Sequence, residues 1–182
     1  MTLLDAAPAL LGNARPRLAT AVEFKQGMRK LAAGVNVVTV FEEGYAQGLT
    51  ATAVCSLSAE PPHLLVCVNS SASAHGAIHR AGAFGLNVLA REQEEIARRF
   101  AGMDGGERTR RFEVGRWTSL STGTPLLEDA LAAFDCLVVR EISAATHTIF
   151  IGRVLGVLTS DSGTPLVFHD SRFTGAGEAA AG

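Results

Sequence analysis

GLTATAVCSLSAEPP, from Gly48 to Pro62, carries no charge until Glu60 and closes on a proline pair, Pro61 and Pro62. Its small and β-branched residues predict an extended segment. Successive side chains of a strand point to opposite faces, so Thr50, Thr52, Ser56 and Ser58 are expected to share one face with Val54. Leu49, Ala51, Ala53, Cys55 and Leu57 then share the other. The hydroxyl row admits two uses. It is the solvated side of an antiparallel strand packed apolar side inward, or it is a ledge of short side chains where a polar ligand comes close to the main chain. A solvated face usually recruits Lys, Glu or Arg, and this one has none.

On the N-terminal side of this stretch, VNVVTVF (Val35 to Phe41) predicts a strand and EEGYAQG (Glu42 to Gly48) a turn, so a hairpin is the expected unit. Further upstream, Thr20 and Glu23 have capping-box spacing, and Phe24, Met28, Leu31 and Ala32 recur at helical spacing until Gly34 ends the helix. On the C-terminal side, LLVCVN (Leu64 to Asn69) is a further strand. SSASAHGAIHRAG predicts a short helix with Ser70 or Ser71 as N-cap and Gly82 as stop. AFGLNVLA (Ala83 to Ala90) is another strand. REQEEIARRFAG predicts a helix with Gln93, Ile96, Ala97 and Phe100 on one face, and pairs Glu94 with Arg98 and Glu95 with Arg99. From Gly102 to Pro125 a long loop with one helical turn near Thr109 is expected. AAFDCLVVREI, HTIFIGRVLGVLT and PLVFH complete six or seven strands. Strands in such excess, with helices only at the margins, imply an antiparallel barrel with helical decoration rather than a doubly wound parallel sheet. One domain over residues 20–174 is expected, between loosely ordered arms at 1–19 and 175–182.

The formal net charge of −2 leaves no basic footprint for nucleic acid and no polybasic patch for a membrane. The N-terminus lacks a basic region, carries Asp5 and is broken by Pro8 and Pro16, so a secretory signal is not expected. No run approaches the ~20 apolar residues that cross a bilayer. Cys55, Cys67 and Cys136 are odd in number, distant and set in apolar runs, which predicts reduced core thiols in a cytoplasmic protein.

Several chemistries lack their motifs: no Gly-x-Gly-x-x-Gly follows a strand, and there is no Walker A lysine or Gly-x-Ser-x-Gly elbow. His75 and His79 stand four apart on a predicted helix. Without a His-Glu-x-x-His or Cys-x-x-Cys they imply no metal site. His147, between Thr146 and Thr148 at the start of an apolar strand, either faces a pocket or is satisfied at a strand end. Asn69, Ser70, Ser71 and Ser73 either cap a helix or surround an anion at its first turn. Together the three features suit a long polar ligand that bears a phosphate.

The order of segments resembles the flavin reductase family, the reductase partners of two-component flavin-dependent monooxygenases. The resemblance runs from about Phe24 to Phe173 and is carried by FKQGMRKLAAG, VNVVTV, GLTATAVCSLSAEPP, LLVCVN with its serine-rich turn, NVLAREQEEIARRFAG, GTPLLEDALAAFDCLV and HTIFIGRVLGV. It implies a mainly β fold with peripheral α, an antiparallel Greek-key split β-barrel, and a homodimer that binds FMN or FAD at the subunit boundary. NADH or NADPH would supply a hydride, and reduced flavin would pass to a partner monooxygenase. By the same resemblance Thr50, Ala51, Thr52 and Ala53 would line the isoalloxazine and ribityl chain, with Ser56 near the phosphate-bearing end. Asn69, Ser70, Ser71 and Ser73 would hold the phosphate or distal flavin, and His147 would lie beside the nicotinamide. Arg172 and Phe173 of FHDSRF are further candidates. The chain has Thr50-Ala51-Thr52-Ala53 where many relatives have Thr-Ala-Asn-Ala, and Ala145-Thr146 where Gly-Asp often precedes His-Thr-Ile. A non-catalytic flavin carrier or sensor on the same fold, or a barrel that binds another anionic metabolite, stands as the alternative.

Overall fold

The computed structural model describes residues 17–176, so most of the expected arms at 1–19 and 175–182 lies outside the described residues. Two compact units are present, one ending at Leu31 and one beginning at Ala32. In the first, helix α1 (Ala21–Met28) starts at the expected capping box. The Thr20 hydroxyl accepts from the Glu23 amide at 3.2 Å, and the Glu23 carboxylate accepts from the Thr20 amide at 2.9 Å. The Arg17 guanidinium bonded to Glu23, together with these Thr20 bonds, holds its carboxyl below the usual range. The helix ends at Met28 with Arg29 as C-cap, six residues short of the expected stop at Gly34. Gly34 lies instead in strand β1 (Ala33–Gly34), opposite Val167, and backbone groups committed to a ladder cannot also serve a helix.

The second unit is built on a seven-stranded antiparallel sheet. Its strands are β2 (Asn36–Glu42), β3 (Tyr45–Ala51), β4 (Val54–Ala59), β5 (Pro62–Asn69), β6 (Ala83–Val88), β9 (Ala132–Ala144) and β10 (His147–Thr159), in the order β3-β2-β6-β9-β10-β5-β4. The two short strands β7 (Trp117–Thr118) and β8 (Leu126–Leu127) form a ribbon, and β1 joins β11 (Leu166–His169) and β12 (Arg172–Gly175) in a third sheet. Strands of two residues are too short to show a period, so the sequence predicts none of β1, β7 and β8; β12 is a further strand beyond those expected.

The β2–β3 turn is tighter than expected. Glu43 and Gly44 have φ of 50° and 85°, the left-handed pair that matches the twist of a two-residue hairpin. Tyr45 to Gly48 therefore pair with β2. Beyond Ala51 the expected single strand breaks at Thr52 and Ala53, where the Val54 amide bonds back to the Thr52 carbonyl at 3.0 Å. β3 and β4 lie at opposite ends of the strand order, and two residues join them, so the sheet must curl until its edges meet there.

The break also cancels the expected face alternation. A bulge leaves Leu57 without a partner, so Ser56 and Ser58 face the consecutive residues Leu64 and His63. Cys55 and Leu57, expected inside, are exposed. Cys136 alone of the three thiols is fully buried; burial, then the neighbouring Asp135, pushes its pKa up to about 12.

β2 explains why the core is double. Val38 and Val40 pack with Leu64, Val66, Ile78, Phe84 and Phe150, whereas Val35, beside the strand, and Val37 pack with Leu89, Phe100, Leu126 and Leu166. Helix α2 (Ser73–Ala81) buries Ala74, Ala77 and Ile78 and stops at Gly82, whose φ of 62° is left-handed. Helix α3 (Glu94–Phe100), entered through a 3₁₀ turn at Arg91–Gln93, buries Ile96, Ala97 and Phe100, and both expected ion pairs form on its outer face. A second 3₁₀ segment, Arg108–Glu113, supplies the helical turn expected near Thr109.

Candidate functional site

Strand β5 gathers most of the expected site. At its end, the Asn69 Oδ1 accepts from the Ser71 amide at 2.9 Å and from the Ser71 hydroxyl at 2.8 Å. Ser70 turns the other way, donating its amide (2.9 Å) and its hydroxyl (3.1 Å) to the Thr146 carbonyl. Neither serine caps α2, contrary to expectation. The N-cap is Ala72, which has no side-chain acceptor, because both serine hydroxyls are already directed at the β5 end and the β10 start. The first turn of α2 is thus left without a side-chain cap, beside the exposed Ser73.

His147 is the first residue of β10 and stands directly opposite Asn69 in the ladder. Its ring is exposed, with Nδ1 2.9 Å from the Thr146 hydroxyl. The ledge approaches the same strand two residues earlier, where the Ala53 carbonyl accepts from the Cys67 amide at 3.0 Å. Thr52 and Ala53 are exposed and short, and Ala51 is buried with its carbonyl bonded to Asn36 Nδ2 at 3.3 Å. Thr50 departs from the expected row: its hydroxyl donates to the Ala97 carbonyl of α3 at 2.7 Å, tying the ledge to that helix.

Other expected residues stand apart. Ser56 lines a cavity of about 500 Å³ with Asn36, Leu64 and Val154, whereas Ser73 lines a different cleft, of about 640 Å³. Arg172 and Phe173 belong to the three-stranded sheet, where Phe173 packs at 5.0 Å from the Phe168 ring and under the Arg98 guanidinium at 5.2 Å. The two helical histidines bond separately, His75 Nε2 to Thr148 Oγ1 and His79 Nδ1 to Glu141 Oε2, each at 2.8 Å.

The Ser73 cleft also holds residues that sequence reasoning passed over. Arg80, Arg111 and Phe112 line it with Gly48, and Arg111 donates to the Gly48 carbonyl at 2.8 Å. Arg80 pairs with Glu42, and that bond holds the Glu42 carboxyl below its usual range. The signal was the cluster ERTRRF inside the long loop, which carries more cation than a solvated turn requires. Among the described residues, no three His, Cys, Asp or Glu side chains gather as a metal site would require, and no helix is long and apolar enough to cross a membrane.

A family profile described as "Flavin reductase like domain" matches residues 28–177. The FMN reductase (NADH) RutF of Variovorax paradoxus is 36% identical over 164 residues, covering 90% of this chain and 90% of that protein. Among solved structures, BorF, the flavin reductase component of a bacterial two-component tryptophan halogenase, superposes with a TM-score of 0.79 at 35% identity, over 86% of this chain and 98% of its own. The NADH:FAD oxidoreductase SgcE6 of Streptomyces globisporus, in complex with NAD and FAD fragments, gives a TM-score of 0.79 at 29% identity, over 88% and 94%.

Proposed function

The chain belongs to the flavin reductase-like family, and on that premise we propose how its residues do the family's work. It is an NAD(P)H-dependent flavin reductase acting on FMN or FAD. The observation that carries the assignment of residues is their convergence along β5: the Thr52–Ala53 ledge, the uncapped start of α2 and His147 all adjoin the last three residues of one strand.

These residues fit a flavin. Short side chains at Thr52 and Ala53 leave room for a planar ring against the main chain, and the first turn of α2, which lacks a side-chain cap, offers neutral backbone donors to a phosphate. When bound, the flavin supplies the acceptor for a hydride from reduced nicotinamide, so the protein needs no nucleophile or carboxylate pair of its own. The ledge would hold the flavin ring, and His147 would orient the nicotinamide or shield the pocket from water. Backbone amides and the Thr52 hydroxyl would offer donors to negative charge on the acceptor ring.

A homodimer is part of the same proposal. Leu57, Leu137, Leu155 and Val157 are each 44–52% exposed on the sheet, an apolar surface that suits a second copy. Residues 20–174 form the reductase domain, its place is the cytoplasm, and the enzyme that receives reduced flavin is a flavin-dependent monooxygenase. The test is nicotinamide absorbance in mixtures of the protein with NADH or NADPH and FMN or FAD. Steady consumption is expected; a yellow but inert protein would make it a carrier, and a colourless inert one neither. His147→Ala is expected to raise the KM for nicotinamide about tenfold while flavin affinity stays within about threefold. Loss of flavin binding with unchanged nicotinamide kinetics would remove His147 from this role.

A further inference from the structure

We propose that His75 is a positioning residue that fixes the distance between the flavin cradle and His147, an inference that rests on the functional reading above. His75 lies in the first turn of α2, within the segment that begins at Asn69. Its Nε2 is 2.8 Å from the hydroxyl of Thr148, which is only 6% exposed, so this bond is partly shielded from water. The imidazole also packs edge-on against Phe150, 5.4 Å between centroids, and Phe150 is fully buried.

Thr148 and Thr146 are the two neighbours of His147, and both are tied to the cradle segment. Ser70 holds the Thr146 carbonyl from one side, and His75 holds the Thr148 side chain from the other. The His147 side chain is exposed, and its Nδ1 lies 2.9 Å from the hydroxyl of its own neighbour Thr146. Its place relative to the start of α2 is therefore set by its ladder position opposite Asn69 together with the tethers on either side. Ser70 acts through main chain that any residue could supply in part, whereas the His75 tether is side chain to side chain and can be removed cleanly. Two rings must meet within a few tenths of an ångström for hydride transfer, so a loosened tether lowers the rate of transfer more than it lowers affinity.

The experiment compares wild type with His75→Phe, which keeps a ring against Phe150 but deletes Nε2, and with Thr148→Val, which deletes the hydroxyl at equal size. Flavin bleaching under saturating NADH is expected to slow about tenfold in each variant, with flavin affinity by fluorescence quenching within about threefold. The double variant is expected to be no slower than either single one, and His75→Gln, which can still reach Thr148, to recover most of the rate. Rates within twofold of wild type in both variants, or additive losses in the double variant, would overturn the role. A second arm needs no flavin: amide exchange in the ligand-free protein is expected to quicken at 70–75 and 146–149 together in His75→Phe, with α3 unchanged. Unaltered exchange there would overturn the tether whatever the activity. A wild type inert toward every nicotinamide and flavin pair would overturn the functional reading and this role with it, while the exchange arm would still report on the tether.

Discussion

An interior strand and an edge strand of the seven-stranded sheet end in opposite environments. β2, NVVTVFE, is buried over five consecutive residues from Asn36 to Val40, because both core clusters press on it. β4, VCSLSA, has only Val54 half-buried and every later residue exposed. Both are apolar enough for a core. The difference lies in neighbours: β2 has β3 and β6 on its two sides, whereas β4 has β5 alone. Burial here follows what packs on each strand: two core clusters press on β2, whereas β4, like the second halves of β9 and β10, is left open.

The widest gap between centre and edge is expected in thiol chemistry. With its pKa pushed up to about 12, buried Cys136 is only about one ten-thousandth thiolate at pH 8. Iodoacetamide at that pH is expected to label exposed Cys55 within minutes and leave Cys136 unlabelled until the protein is unfolded; equal labelling in the native protein would erase the contrast. Next is packing. Phe84 is fully buried, and a Cβ added at Gly152 would lie 2.6 Å from its ring, so the site has no slack. Phe84→Ala is expected to cost about 3–5 kcal/mol in urea unfolding. Leu57→Asp on the bulge of β4 is expected to leave folding intact but weaken self-association about a hundredfold by sedimentation, sharpening the claim that the edge is an interface. The smallest effect belongs to Ser58→Ala, expected within about 0.5 kcal/mol in the same unfolding assay.

What the sequence disclosed follows the same division. Features set by local rules were legible: the Thr20–Glu23 capping box, the Gly82 stop, the ion pairs of α3 and the long strands β9 and β10. Features set by distant partners were not. Thr50 looked like part of a hydroxyl row, but the α3 carbonyl 47 residues away claims its side chain. Ser70 and Ser71 had the composition of N-caps, yet Thr146 and Asn69 compete for their hydroxyls and win. The break at Thr52–Ala53 had no glycine or proline to announce it; it arises because β3 is held in register by β2 and β4 by β5. Asn69, Ser70, Ser71 and His147 adjoin at the end of β5, while Ser56, Ser73 and the Arg172–Phe173 pair stand elsewhere.

The two-residue link at Thr52–Ala53 has a further consequence for how this chain tolerates change. An inserted loop at the Glu43–Gly44 hairpin would only lengthen a surface turn. The same insertion at the link would unfasten a curled sheet into a ribbon with two raw borders, each a template for stacking against another molecule, so that aggregation rather than simple inactivity would be its mark.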